Sequence, residues 1–268
     1  MHSHIKVIFI FFLIVANAAT VFAQGVSMSP TRMFFTGNPG ETVSQIVTMY
    51  NSSDNDYVFN INLKDWNREE DGTKVYFEPG TLDHSNSNWV STLETNINLP
   101  AKSTTEVLVT MSIPKDASTT ELTNSMLFFT QIGKQEDEVK HDMGIGIIAI
   151  FEFGLHVYYT PPTNHTNSLD IMSIESESNA KIDMEQVHIR VFNDGNIVND
   201  ASVELELTNL LTGEEVKLAP INISSMPETY QTIIHNLPKD LEGEYLGVVI
   251  IKMAGSNDLR IGEKTFVF

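Results

Sequence analysis

The sequence predicts an all-β chain of two tandem β-sandwiches, and three observations carry that prediction. Apolar residues recur at every second position in short runs, the period at which a strand turns its side chains to one face. Clusters of Gly, Pro, Asn and Asp separate the runs, as turns require. Beyond the first residues, no stretch of useful helix length repeats every 3.6 positions. The 268 residues suit two domains of about 100–150 residues each.

The chain opens on a targeting segment. Lys6 precedes the apolar run Val7 to Val15, and Val21-Phe22-Ala23 offers a cleavage site after Ala23. Residues 1–23 are therefore expected to be a signal peptide, with Gln24 the first mature residue. The apolar run is shorter than the ~20 residues a membrane span needs. No second apolar span follows, so the expectation is an exported protein with no membrane insertion after cleavage. It is expected in the periplasm, with the extracellular space or cell surface as the alternative.

Residues 24–162 are expected to form the first domain. Val26 to Phe35 reads as its first strand, with Pro30 marking an edge or kink. Gly37 to Gly40 turns the chain. Thr42 to Tyr50 alternates and ends in the polar turn Asn51 to Asp56. Tyr57 to Trp66 alternates cleanly, and Asp71-Gly72 signals a hairpin. Trp89-Val90 and Ile97 to Leu99 are short strands, and Pro100 to Ser103 is a turn. Glu106 to Ile113 alternates until Pro114, and Met126 to Ile132 follows. A charged loop runs from Gly133 to Asp142.

The longest strand pattern then covers Met143 to Pro161. Ile145, Ile147, Ala149, Phe151, Phe153, Leu155, Val157 and Tyr159 make one apolar stripe. From Ile145 to Tyr159 it would run roughly 50 Å at ~3.3 Å per residue, far longer than most strands. Such a strand is either buried on both faces or left partly open. Pro161-Pro162 stops it. Seven or eight strands in ~135 residues is the size class of the immunoglobulin-like sandwich.

Residues 163–268 repeat the class as a second, plainer immunoglobulin-like sandwich. Val187 to Phe192 alternates before the turn Asn193 to Asn196. Val203, Leu205 and Leu207 alternate with polar neighbours, and Thr212-Gly213-Glu214 is a hairpin turn. Glu244 to Met253 is a hydrophobic strand, and Thr265 to Phe268 ends the chain.

Composition excludes several function classes. The formal charge is −19, and removing residues 1–23 leaves 15 basic against 35 acidic residues, a net −20. Nucleic-acid binders carry basic patches, so a nucleic-acid partner is not expected. There is no cysteine, which excludes disulfides, thiolate metal sites and cysteine nucleophiles. The histidines are scattered singly, none at metal-ligand spacing. No nucleophile-elbow or phosphate-loop motif occurs. No catalytic residue, metal or cofactor is predicted. Asp65, Glu69, Glu70 and Asp71 could offer oxygens to calcium, but their spacing matches no loop motif, and a solvated hairpin tip is the expected reading. Trp66 and Trp89 are expected in packing. Arg32 is the only basic residue of the mature chain before Lys64. Amid Met33, Phe34 and Phe35, its guanidinium needs an acceptor. Either it bridges to a carboxylate of its own chain or it grips one brought by a partner.

The order of several short motifs carries a resemblance. Ser29-Pro30-Thr31-Arg32 is followed by the turn at Gly37, the strand ending at Asn51, and Pro100-Ala101-Lys102. Then come Asn124-Ser125-Met126-Leu127-Phe128-Phe129 and Leu155-His156-Val157-Tyr158-Tyr159-Thr160-Pro161. This resembles the PapD-like periplasmic chaperones of the chaperone–usher pilus pathway, over roughly Val26 to Pro161. The second domain matches only as a generic immunoglobulin-like unit.

The resemblance implies two such domains with a cleft between them. It implies donor-strand complementation, in which the long strand is lent to a secreted pilin- or adhesin-like β-rich subunit, with an outer-membrane usher as a further candidate partner. By position, Ile145, Ile147, Ala149 and Phe151 would be the lent face, unless the stripe is internal core. In the family, an arginine on the first strand and a lysine on the long strand anchor the subunit's terminal carboxylate. Arg32 falls on the first position and His156 on the second, where an imidazole replaces an amine. Thr160 stands where the family has an arginine, and the acidity is a further departure. The alternative functions are a structural or adhesive surface protein of the same two modules, and a calcium- or sugar-binding sandwich.

Overall fold

The computed structural model describes residues 25–133, 150–163 and 165–268. The proposed signal peptide, most of the charged loop, and Ile145, Ile147 and Ala149 lie outside the described residues.

The first unit contains β1 (Val26–Ser29), β2 (Arg32–Phe35), β3 (Thr42–Asn51), β4 (Tyr57–Arg68), β5 (Lys74–Phe77), β6 (Val90–Thr92), β7 (Asn96–Leu99), β8 (Thr104–Ser112), β9 (Thr123–Gln131) and β10 (Glu152–Tyr159). One sheet has the order β1-β3-β8-β6, and the other has β2-β10-β9-β4-β5 with β7 also on β4. The expected first strand is therefore two strands. The chain changes sheets at Pro30-Thr31, where proline has no N–H to continue a ladder. β1 then pairs with β3, while β2 runs parallel to β10.

The core lies between the sheets. Val47, Met49, Val109 and Met111 face Phe59, Ile61, Leu127, Phe129, Leu155, Val157 and Tyr159, all buried. Trp89 packs on this core edge-on to Tyr159, as expected of a packing tryptophan. The second sheet is covered on its other face as well. There Trp66, Met126, Phe128 and Tyr158 are buried with Leu122. That double burial explains the unbroken run of buried residues from Asn124 to Phe129 on β9.

The second unit contains β11 (Asp170–Asn179), β12 (Met184–Phe192), β13 (Asn199–Asn209), β14 (Glu215–Lys217), β15 (Ile221–Ser225), β16 (Tyr230–Asn236), β17 (Glu244–Met253) and β18 (Leu259–Val267). A sheet β11-β12-β16 packs on a sheet β14-β13-β17-β18 that also carries β15 on β13. Val187, Ile189 and Val191 meet Val203, Leu205, Leu207, Val249, Ile251 and Phe266 in its core. The chain is two immunoglobulin-like β-sandwiches in tandem, as the alternation predicts.

The two units touch. Met226, with Val198 beside it, joins the cluster around Trp66. The β4–β5 hairpin reaches the second unit, where the Glu70 carbonyl accepts from Thr232 N–H at 2.7 Å. Its carboxylate accepts from Arg190 Nε at 2.6 Å and Thr232 Oγ1 at 3.0 Å. Asn196 Nδ2 donates to the Thr120 carbonyl at 3.0 Å.

Candidate functional site: the cleft between the two sandwiches

β2 and β10 bring the two sequence-predicted anchor residues together. Their parallel register sets His156 beside Arg32 and Tyr158 beside Phe34. The Phe34 and Tyr158 rings stack at 4.9 Å. These residues project from the face of the sheet opposite the main core, toward the second unit. A cleft of about 380 Å³ opens there, lined by Arg32, Arg68, His156, Tyr158, Asp200, Ser224 and Gln231 among others.

Arg32 already has a carboxylate. Its Nη1 donates to both oxygens of Asp200 on β13, each at 2.8 Å. Of the two acceptors the sequence leaves open, the structure contains the one in the same chain. Burial pushes the Asp200 carboxyl up, but hydrogen bonds from Arg32 and Ser224 and the guanidinium charge outweigh it and hold it below the usual range. The Asp200 bond in turn raises Arg32.

His156 lies against Trp66 at 4.9 Å and Tyr158 at 5.9 Å between ring centroids. Burial, then the charges of Lys74, Arg68 and Arg32, push its pKa down to about 4. The imidazole is neutral at pH 7 and brings no charge to the cleft. Burial also raises the Tyr158 phenol, so it stays protonated.

Of the proposed lent face, Phe151 is the described member. It is half-buried against the main core and meets Tyr57 edge-on at 5.6 Å. Phe153 follows at 5.9 Å from Phe59. Leu155, Val157 and Tyr159, further along the same stripe, fill this domain's own core. Among the described residues, β10 is paired unequally on its two sides. β9 pairs with all of Glu152 to Tyr159, whereas β2 pairs only with His156 to Tyr159. Along Glu152 to Leu155 the other edge meets no strand among the described residues.

The acidic cluster near Trp66 departs from expectation. Asp65 is fully buried and accepts from Thr81 N–H at 2.7 Å, Leu82 N–H at 2.9 Å and Ser85 Oγ. Glu70 binds the second unit, and Asp71 caps its own turn by accepting from Thr73 N–H. Only the turn itself is a hairpin tip. No group of three or more metal-ligating side chains comes together among the described residues.

Sequence reasoning does not identify Arg68, Lys74, Asp200 or Gln231 as site residues. Arg68 and Lys74 sit above Trp66, at 5.7 and 6.0 Å from its ring. A strand signal flanks the Asp71-Gly72 turn, but nothing in the spacing says which sheet face meets the second domain.

No family model matches the chain, and neither does any curated protein. Solved structures do resemble it. The class 5 fimbriae chaperone CfaA is 13% identical over 91% of this chain and 100% of its own, with a TM-score of 0.46. The E. coli chaperone DraB is 12% identical over 90% and 98%, with a TM-score of 0.47. The SafB chaperone complex with SafA pilin, from Salmonella enterica, gives 10% identity over 93% and 99% at a TM-score of 0.44. Each of the three is a chaperone by its description, CfaA of class 5 fimbriae and SafB in complex with a pilin.

Proposed function

We propose that this protein is a periplasmic chaperone that holds a secreted β-rich subunit, pilin- or adhesin-like, by strand addition. The observation that carries the reading is the edge of β10 along Glu152 to Leu155 that meets no strand among the described residues, with half-buried Phe151 and Phe153 beside it. An unpaired strand edge next to apolar surface is a template for another chain's strand. The donated face would comprise residues 145–151, through Ile145, Ile147, Ala149 and Phe151. Arg32 and His156 lie where that edge reaches the cleft, and would meet the client's carboxylate. No nucleotide or other cofactor enters this reading, and an usher would take the client onward.

The test is capture of the client. Mature protein is recovered from periplasmic extract beside an Ile147→Asp/Phe151→Asp variant and an Arg32→Ala variant, and co-purifying proteins are identified. A stoichiometric secreted β-rich partner, lost in the double variant, is expected. Capture that survives the double variant refutes strand lending. A partner retained by Arg32→Ala removes only the anchor. The burial of Leu155, Val157 and Tyr159 in the domain's own core favours a second reading, a rigid surface module, which predicts no partner at all.

A further inference from the structure

The β4–β5 hairpin contains an electrostatic conflict. Arg68 and Lys74 are directly opposite in register, and like charges in that position destabilise a strand pair. Neither forms an ion pair among the described residues, in a chain whose acids outnumber its bases by 19. Both cations lie over Trp66, whose ring packs on His156. Three buried polar atoms of the cleft lack a partner among the described residues: Arg68 Nε, His156 Nε2 and Gln231 Oε1. Gln231 is 7% exposed. Unpaired buried groups of this kind are costly, so a cluster of them points to a ligand that would satisfy them. Arg32 and Arg68, the two cations that line the cleft, call for an anion with two acceptor oxygens, and the Gln231 oxygen calls for an N–H beside it. The end of a polypeptide offers both.

We propose that Arg68 is the cation that receives a client's terminal carboxylate, and that Asp200 competes with that carboxylate by holding Arg32. The proposal takes the ligand's chemistry from the reading above and assigns its partners on this chain. In the free protein Asp200 occupies Arg32 across the cleft. An arriving carboxylate meets Arg68 first, then shares or displaces Asp200 at Arg32. Retaining Asp200 would lower affinity for any chain end that lacks additional contacts along β10, and so would favour clients that also pair with the strand.

The experiment uses the mature protein and two probes: a blocked octapeptide of alternating valine and threonine ending in a free carboxylate, and the same peptide ending in an amide. Binding is followed at the Trp66 indole resonance, assigned with a Trp89→Phe variant. Asp200→Asn is expected to tighten binding of the acid peptide about tenfold while leaving the amide unchanged. Arg68→Gln should abolish the preference for acid over amide, and Arg68→Lys should restore part of it, with thermal unfolding of each variant as the control for folding. If Asp200→Asn binds the acid peptide no more tightly than wild type, or does not bind it, the proposal is wrong. The same holds if Arg68→Gln keeps the preference. Loss of this peptide effect with client capture intact overturns the assignment alone. The peptide effect without a client supports the assignment and overturns the chaperone reading.

Discussion

His156 shows how surroundings decide what a residue can do. A histidine within a strand beside an arginine reads as a candidate hydrogen-bond donor with a tunable charge. Here the Trp66 and Tyr158 rings remove water from it, and Lys74, Arg68 and Arg32 oppose a further positive charge. The unfolded chain takes up this proton near pH ~6.5, the folded one only near about 4. A folded pKa below the unfolded one means that the unfolded state binds more protons in the window between them. The stabilisation is thus complete above pH ~6.5 and is lost as pH falls toward 4, at up to about 1.4 kcal/mol per pH unit. His235, also buried and lowered, adds to the same slope. Urea unfolding from pH 7 to 4 should therefore show falling stability, and His156→Leu should flatten part of that fall. An unchanged slope in the variant would mean that His156 titrates as an exposed residue does.

At the scale of the element, β4 does the most. Its first half alternates into the main core through Phe59 and Ile61, and its second half turns Trp66 to the opposite face. Between them Asp65 points at the connection after β5 and accepts its backbone N–H groups at Thr81 and Leu82. Burial alone would raise this carboxyl, but the hydrogen bonds from Leu82, Ser85 and their neighbours hold it below its usual value. Asp65→Asn removes the charge those donors need, and should cost about 1–3 kcal/mol in denaturant unfolding. A loss near zero would mean that the connection has another support.

Strands such as β8, β13 and the first half of β4 were legible because each has one apolar and one polar side. β11 was not, since of its ten residues only Ile174 is buried. β16 was not, because Gln231 and His235 occupy buried positions where alternation expects apolar residues. The full extent of β18 was missed because its first half is exposed on alternate positions and half-buried on the others. In the cleft, Arg32 and His156 could be read because both lie on recognisable strands. Asp200 is 168 positions from Arg32, and no periodicity relates residues on separate domains.

For the whole molecule the question is what sets the relation of the two sandwiches. Polar contacts are the more numerous: Arg32 with Asp200, Glu70 with Arg190 and Thr232, and Asn196 with Thr120. Apolar contact is narrower, with Met226 and Val198 against the cluster of Trp66, Leu122, Phe128 and Tyr158. The magnitudes favour the smaller patch. The side chains of Arg32 and Asp200 are 37% and 38% exposed, so their pair contributes within the ~0–1 kcal/mol of solvent-screened pairs. A methionine taken out of water contributes about 1.5–3 kcal/mol, and Met226 is buried. Polar pairs fix geometry through direction, whereas apolar burial supplies most of the adhesion. Spin labels placed on the two domains should then respond differently to two variants. Glu70→Ala with Asp200→Asn should shift the mean distance while keeping its distribution narrow. Met226→Ser should broaden the distribution, since adjacent domains move relative to one another unless their interface is large and hydrophobic. Broadening by the charge variant and none by Met226→Ser would reverse the ranking and make the ion pairs the clamp.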